Sequence, residues 1–111
     1  MENKEVIVNL EDYRVPNAKV FTGRDRGEYV REKSKIDELE PGSSKITIII
    51  PKNIYSINPS FFEELFINAI TKLGKAEFLR KFSFKSLGDY NYERPLNEAI
   101  VRILRKNTAI D

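Results

Sequence analysis

Hydrophobic and polar positions alternate in several segments of the chain, and a period of two predicts β-strands. The clearest segment is Lys45–Pro51, which is β-branched from Ile46 to Ile50. Because this run is apolar at both odd and even positions, it predicts a central strand with helices on each face of the sheet. Weaker alternation predicts an opening strand, a short strand and a late strand over Glu5–Leu10, Lys19–Phe21 and Phe82–Lys85.

Other segments place apolar residues at a spacing of three and four, which predicts helices. The strongest begins at Asn58-Pro59-Ser60, where a cap residue precedes a proline at the first helical position. Its apolar face then runs to Leu73, and Gly74 ends it. Further helices are predicted over Arg24–Lys35, over Lys75–Lys81 and around an apolar face from Leu96 to Leu104.

Strands separated by helices predict an α/β fold with at least a partly parallel sheet. We expect about four strands in a mixed sheet, with the opening strand added antiparallel and helices packed against the sheet. The loop Pro41–Ser44 is the strongest turn signal. Neither half of the chain could close a core alone, so residues 1–111 are interpreted as a single domain.

The amino-acid composition excludes several kinds of catalytic and metal-binding site. The chain has no histidine and no cysteine, which excludes nitrogen- or sulfur-ligated zinc sites, Ser-His and Cys-His nucleophiles, and disulfides. Carboxylate, lysine, tyrosine or serine chemistry, usually with a bound metal or cofactor, remains open, but the missing histidine and cysteine lead us to expect no catalytic residue and no metal site. The net charge of +2 does not favour nucleic acid as a partner. Residues 1–10 show no secretory pattern, and no uninterrupted apolar run exceeds the three residues of Ile48–Ile50, so we expect a cytoplasmic protein without membrane contact.

Three segments carry a resemblance to a known family: Phe21-Thr22-Gly23-Arg24-Asp25-Arg26-Gly27, Ile57-Asn58-Pro59-Ser60-Phe61-Phe62-Glu63-Glu64-Leu65-Phe66, and Leu73-Gly74-Lys75-Ala76-Glu77-Phe78. In this order they resemble the bacterial STAS-like domain family of unknown function. That family is similar to the STAS domains of sulfate transporters and anti-sigma factor antagonists. The resemblance extends from about Val20 to Leu104, and it implies a sheet of about four strands, no cofactor, and a histidine-kinase-like ATPase as a partner.

In STAS antagonists a serine at the start of a helix is phosphorylated within the motif Asp-Ser-Ser-Gly. The resemblance places Asn58 at the aspartate, Pro59 at the first serine, Ser60 at the phosphorylated serine and Phe61 at the glycine. It thus implies that Ser60 is a regulatory position. Independently, a phosphate is tolerated at a helix N-terminus, where backbone N–H groups and the helix dipole favour negative charge. The alternative is that Ser60 and Glu63 form a capping box and the hydroxyl only caps the helix.

The candidate partner-binding residues surround Ser60 on the same helix: Asn58, Pro59, Phe61, Glu64 and Ile67. Ile67 is predicted to lie away from the apolar stripe, either as an isolated exposed side chain or as part of a contact surface for a partner or a second copy. The adjacent Glu63 and Glu64 point in different directions on a helix, so they are interpreted as solvated charges and not as an acid/base pair.

Two basic groups complete the candidates. Arg24 and Arg26, between two glycines at a predicted helix start, could contact a phosphate, or they could belong to a solvated first turn. Arg102, Arg105 and Lys106 could contact nucleic acid, or they could complement the dipole at a helix end.

From these residues we expect a non-enzymatic protein-interaction and regulatory module that acts through the N-terminus of the helix starting at Pro59. The alternatives are a nucleic-acid-binding protein that uses the basic last helix, and an enzyme that needs neither histidine nor cysteine. A homodimer is left open.

Overall fold

The computed structural model of the chain describes the backbone of residues 4–110 and the side chains of residues 4–106. The strands are β1 (Glu5–Asn9), β2 (Val20–Phe21), β3 (Lys45–Ile50), β4 (Ser56–Ile57) and β5 (Phe82–Ser86). The helices are α1 (Arg24–Ser34), α2 (Ile36–Leu39), α3 (Pro59–Lys81) and α4 (Glu93–Ile110), and a 3-10 turn follows β1 at Leu10–Tyr13. The chain is therefore an α/β protein. No helix within residues 4–110 is both long and apolar enough to cross a membrane.

The described strands form two separate parallel sheets. The larger has the order β1-β3-β5, with Val8 beside Ile48 and Ile48 beside Phe84. The smaller pairs β2 with β4. The expected mixed sheet of about four strands is thus wrong, and so is the antiparallel opening strand. The connection from β1 to β3 contains α1 and α2, which is long enough to bring the chain back to the same end of the sheet and make the two strands parallel.

Helices cover one face of the larger sheet. Along β3 the side chains of Ile46, Ile48 and Ile50 are fully buried, whereas Thr47 and Ile49 are partly exposed. On the same outer face Ile7 of β1 is 67% exposed. The expectation of helices on both faces is therefore wrong. With the order β1-β3-β5, both crossovers step in the same direction, and right-handed crossovers of that kind place their helices on one face.

Aromatic side chains of α3 and β5 fill the space between the helices and the larger sheet. Phe66 lies at the centre, with its ring centroid 5.2 Å from that of Phe78 and 5.6 Å from that of Phe82. Phe62 and Phe84 extend the cluster, and each ring centroid lies 5.7 Å from that of Phe66. The helix predicted up to Leu73 and the helix predicted over Lys75–Lys81 are both present. They lie within α3 on either side of Gly74, whose non-helical φ of 77° lies in the region that glycine tolerates best.

The smaller sheet positions the starts of two helices. The Tyr55 N–H donates to the Lys19 carbonyl at 2.7 Å, and the Asn58 N–H donates to the Phe21 carbonyl at 2.9 Å. The chain continues from β2 into α1 and from β4 into α3 within one or two residues. Since β2 and β4 are parallel, both helices begin at the same end of this sheet.

Candidate functional site

The starts of α1 and α3 lie side by side at the carboxyl ends of β2 and β4. Ligands of open parallel sheets commonly bind at such an end. Beside α1 lies an open groove of about 640 Å³, lined by Val15, Ala18 and residues 20–26. Val15 and Val20 are 45% and 43% exposed there. The groove therefore offers an apolar surface next to polar backbone at a helix start.

A very close crossing holds the two helices together. A Cβ atom placed on Gly27 of α1 would lie 2.5 Å from the Phe61 carbonyl oxygen and 2.8 Å from the Glu64 Cβ atom. Only glycine leaves room for α3 at this distance. The relative position of the two helix starts is therefore fixed by backbone packing.

Asn58, and not Ser60, caps α3. The Asn58 side-chain oxygen Oδ1 accepts a hydrogen bond from the Ser60 N–H at 2.9 Å and another from the Ser60 hydroxyl at 2.8 Å. The capping box of Ser60 with Glu63 is therefore wrong, because Glu63 turns away from the helix start and into the protein. Ser60 is partly exposed and lies one turn before Glu63 and Glu64.

Glu63 is a buried carboxylate that joins three helices. Its side chain is fully buried, with the Lys106 ammonium at 2.9 Å, an Arg24 guanidinium nitrogen at 3.4 Å and an Arg102 nitrogen at 3.8 Å. Burial by itself raises the pKa of Glu63, but the hydrogen bond from Lys106 and the charge of Arg24 outweigh it and lower the pKa below the usual value. Glu63 is thus an ionised link between α1, α3 and α4.

The interpretation of Glu63 as a solvated charge is therefore corrected. Its three cationic partners come from segments about 40 residues away in either direction, so spacing along the helix carries no sign of them. The only available signal was a pair of carboxylates within the most apolar helix of the chain. Two adjacent glutamates alone do not predict that Glu63 is buried, because burial of its charge requires the cations that the fold brings to it.

Glu64 lies at the edge of the same network and is partly exposed. Its carboxylate contacts Arg24 at 3.3 Å and Arg31 at 3.4 Å, and Arg31 also donates to the Glu64 carbonyl oxygen. Arg24 therefore bridges Glu63 and Glu64 from the first residue of α1. Arg26 instead lies over the Tyr29 ring, 4.7 Å from its centroid. Arg24 and Arg26 thus both line the groove beside α1, but each has a different partner within the protein.

The candidate partner-binding residues divide into accessible and inaccessible groups. Asn58 is exposed, while Pro59 and Ser60 are partly exposed. Phe61 is fully buried, with its ring centroid 5.0 Å from that of Phe21, so it supports the helix start from below. Ile67 packs against the core and is only partly exposed, which corrects the expectation of an outward-facing side chain. The accessible part of the candidate surface is thus the first turn of α3.

The basic residues of α4 are largely engaged within the protein. Arg102 contacts Glu98 at 3.6 Å in addition to Glu63, and Lys106 is bonded to Glu63. Arg105 is exposed and lines a shallow depression with Val101. Because two of the three cations are paired with carboxylates, no observation favours a nucleic-acid surface on this helix.

A second buried carboxylate, Glu40, ties the loop after α2 to α3. Its two oxygens accept hydrogen bonds from Lys72 at 2.8 Å and from Lys81. Burial raises the pKa of Glu40, and the two lysines reverse this and lower it below the usual value. Within the residues that the structure describes, no group of three or more acidic side chains is arranged to hold a metal ion.

Comparison with protein-family models, with curated proteins and with solved structures finds no match for this chain.

Proposed function

We propose that the protein is a non-enzymatic protein-interaction and regulatory module that binds a protein partner at the starts of α1 and α3. The two starts are held side by side by the Asn58–Phe21 hydrogen bond and by the close crossing at Gly27. The groove next to them combines exposed apolar side chains, Val15 and Val20, with polar residues at its border. An apolar centre with a polar rim is the usual composition of a protein interface.

Ser60 is the position that we propose as the control of this surface. The observation that carries the proposal is that Asn58 Oδ1 caps α3 through the Ser60 N–H, a hydrogen bond that does not use the Ser60 hydroxyl. The hydroxyl donates to the same oxygen, so phosphorylation would remove that second hydrogen bond and change the start of the helix. A phosphate there would add a charge of about −1.5 to −2 at pH 7. The positive end of the helix dipole of α3 favours such a charge.

A charge at Ser60 would also act on the start of α1. Ser60 lies three and four residues before Glu63 and Glu64, so it is a neighbour of both along the helix although the two carboxylates point in different directions. Arg24 bridges the two carboxylates. A phosphate one turn away would compete with them for Arg24, which is half-exposed. Modification at α3 would therefore change the surface at the first turn of α1.

The resemblance to STAS-like domains supplies the class of partner. We propose a histidine-kinase-like ATPase in the cytoplasm, which would phosphorylate Ser60 or bind the unmodified surface. A non-enzymatic role is supported by the two fully or nearly buried carboxylates, Glu63 and Glu40, since each is held ionised by lysine or arginine side chains that join helices. Both have a structural function in their present environment.

Photo-crosslinking from the first turn of α3 tests the proposal. A benzoylphenylalanine is placed at Pro59, which is partly exposed and leaves the Asn58 cap in place, in the tagged chain, and adducts formed in the cells that make the protein are identified by mass spectrometry. The matched control carries the same group at Glu38, an exposed residue of α2. We expect a protein adduct from position 59 that is absent from position 38 and is lost when Ser60→Asp is added.

Equal adducts from both positions, or an adduct from position 59 that Ser60→Asp leaves unchanged, would contradict the proposal. Ser60→Ala should retain the adduct, because the cap does not depend on the hydroxyl. Mass measurement of the tryptic peptide that contains Ser60, with and without ATP, then shows whether the captured partner phosphorylates it.

A further inference from the structure

A second groove lies between β5 and the first two turns of α4. Because α4 packs on α3, a space of about 370 Å³ remains between α4 and β5. Phe84 and Tyr92 stack within it at a centroid distance of 5.3 Å, and both are partly exposed. Leu79, which is 41% exposed, lines the groove as well. The groove is therefore an open cleft with an aromatic pair inside.

One side of this groove is the edge of a strand. β5 pairs only with β3. Among residues 4–110, the main-chain hydrogen bond on its outer side is at its first residue, where the Phe82 N–H donates to the Phe78 carbonyl at the end of α3. The Leu87 N–H donates to the Ile50 carbonyl on β3 at 2.9 Å. Main-chain groups alternate in direction along a strand, so the Phe82 carbonyl and both main-chain groups of Phe84 and Ser86 point to the outer side and, within the described part of the chain, have no main-chain partner there. This edge of the sheet thus offers unpaired donors at Phe84 and Ser86 and unpaired acceptors at all three residues.

The dimensions fit one extended chain segment. β5 has five residues, a length of roughly 17 Å. A stable contact with a second copy or a folded domain buries about 800 Å² on each partner, which a single short cleft does not offer. A strand added to the edge instead gains main-chain hydrogen bonds along its length and needs pockets only for alternate side chains.

The charge of the groove indicates which side chains the bound segment should carry. Glu93 is exposed and is the only charged residue among the described residues that line the groove. An occupying segment with a lysine or arginine beside Glu93 would complement it. An apolar side chain two positions away would lie over the Phe84–Tyr92 pair, because alternate residues of a strand point to the same side.

We propose that β5 binds an extended segment of a protein partner as an additional strand of the sheet, with an apolar side chain on the Phe84–Tyr92 pair and a basic side chain at Glu93. This surface is separate from the starts of α1 and α3, so the inference goes beyond the proposed function. The two can fail independently.

The test uses a fluorescein-labelled, end-capped octapeptide of alternating valine and threonine with one central lysine, measured by fluorescence anisotropy with the full chain. A second peptide is N-methylated at alternate nitrogens on its pairing edge, which removes its main-chain donors. A third has glutamate in place of the lysine. We expect the first to bind saturably, and the N-methylated peptide to bind about tenfold more weakly, the equivalent of one to two hydrogen bonds.

Charge exchange provides the second readout. Glu93→Lys should reverse the preference between the lysine and glutamate peptides, by about two- to fivefold in each direction for an exposed pair. Glu38→Lys, on exposed α2, is the matched control and should leave the preference unchanged. Circular dichroism confirms that both variants fold.

Amide chemical shifts locate the bound peptide. Binding should shift the amide signals of Phe82, Phe84 and Tyr92 and slow hydrogen exchange on the outer side of β5. The inference is overturned by the absence of binding at millimolar peptide, by equal binding of the N-methylated peptide, or by shifts confined to β1, the other edge of the same sheet.

Discussion

Replacing Glu63 by glutamine should destabilise the protein at neutral pH, because it removes the only charge that all three surrounding cations share. The carboxylate is fully buried and accepts a hydrogen bond from Lys106 at 2.9 Å, while Arg24 and Arg102 lie at 3.4 Å and 3.8 Å. Charge-assisted hydrogen bonds contribute about 1.5–3 kcal/mol each when buried. The cations here are about half-exposed, and water compensates much of their loss, so we expect a total of about 1–3 kcal/mol.

Chemical denaturation at pH 7 measures this free energy of unfolding directly. A domain of this size should lose about 4 °C in Tm per kcal/mol. Glu77→Gln is the matched control, since Glu77 is half-exposed and pairs with Arg80 within one helix turn. The control should change the free energy of unfolding by less than about 0.5 kcal/mol.

The pH dependence of the same pair of proteins provides an independent check. The pKa of Glu63 is lower in the folded protein than in the unfolded chain, so its contribution is present above the unfolded pKa and is lost as the pH falls through the folded pKa. The stability difference between wild type and Glu63→Gln should therefore shrink in acid, below about pH 4. Equal stability at pH 7, or a difference that persists unchanged in acid, would refute the ionised link between the helices.

Three further changes test the surroundings of the candidate site. Gly27→Ala should lower the free energy of unfolding by about 1–3 kcal/mol, although alanine favours helix more than glycine does, because the added Cβ would meet a backbone carbonyl of α3. Gly42→Ala is the control and should change stability little, since the space around Gly42 is open. Thermal unfolding of the two variants measures the difference. Asn58→Ala should lower the free energy of unfolding by about 1 kcal/mol through loss of the cap, and Ser60→Ala should lower it much less. Equal losses in urea denaturation would contradict the assignment of the cap to Asn58. Glu40→Gln should flatten the acid side of the stability profile, because the pKa of Glu40 is lowered and its stabilisation is lost as the pH falls; an unchanged profile would contradict this.

The sequence predicts those elements whose start, end or type depends on interactions between residues close together in the chain. The cap and proline at Asn58–Pro59 locate the start of α3, and the β-branched run after Lys45 locates β3. Gly74 marks the interruption of α3 because a positive φ favours glycine. The short strand expected over residues 19–21 is present as Val20–Phe21.

The arrangement of these elements depends on contacts between distant segments, and sequence patterns do not contain them. β1 is parallel to β3 because the crossover through α1 and α2 joins them. The alternation of apolar and polar residues in β1 is the same for a parallel and an antiparallel strand, so it does not predict the direction. The packing of helices on only one face of the larger sheet follows from the strand order β1-β3-β5. The burial of Glu63 depends on Arg24 and Lys106, which the fold brings together from opposite ends of the chain. For the candidate site, the sequence locates Asn58 as the cap and Ser60 in the first turn of the helix, whereas the alternative capping box of Ser60 with Glu63 is wrong.

The measurement that tests the central claim most directly is the affinity of the captured partner for three forms of the chain, determined by isothermal titration calorimetry: wild type, Ser60→Ala and Ser60→Asp. If charge at Ser60 controls the surface at the starts of α1 and α3, Ser60→Ala should bind within about twofold of wild type. Ser60→Asp should differ from both by about tenfold or more, an energy of about 1.4 kcal/mol. Equal affinity of all three forms would contradict the account.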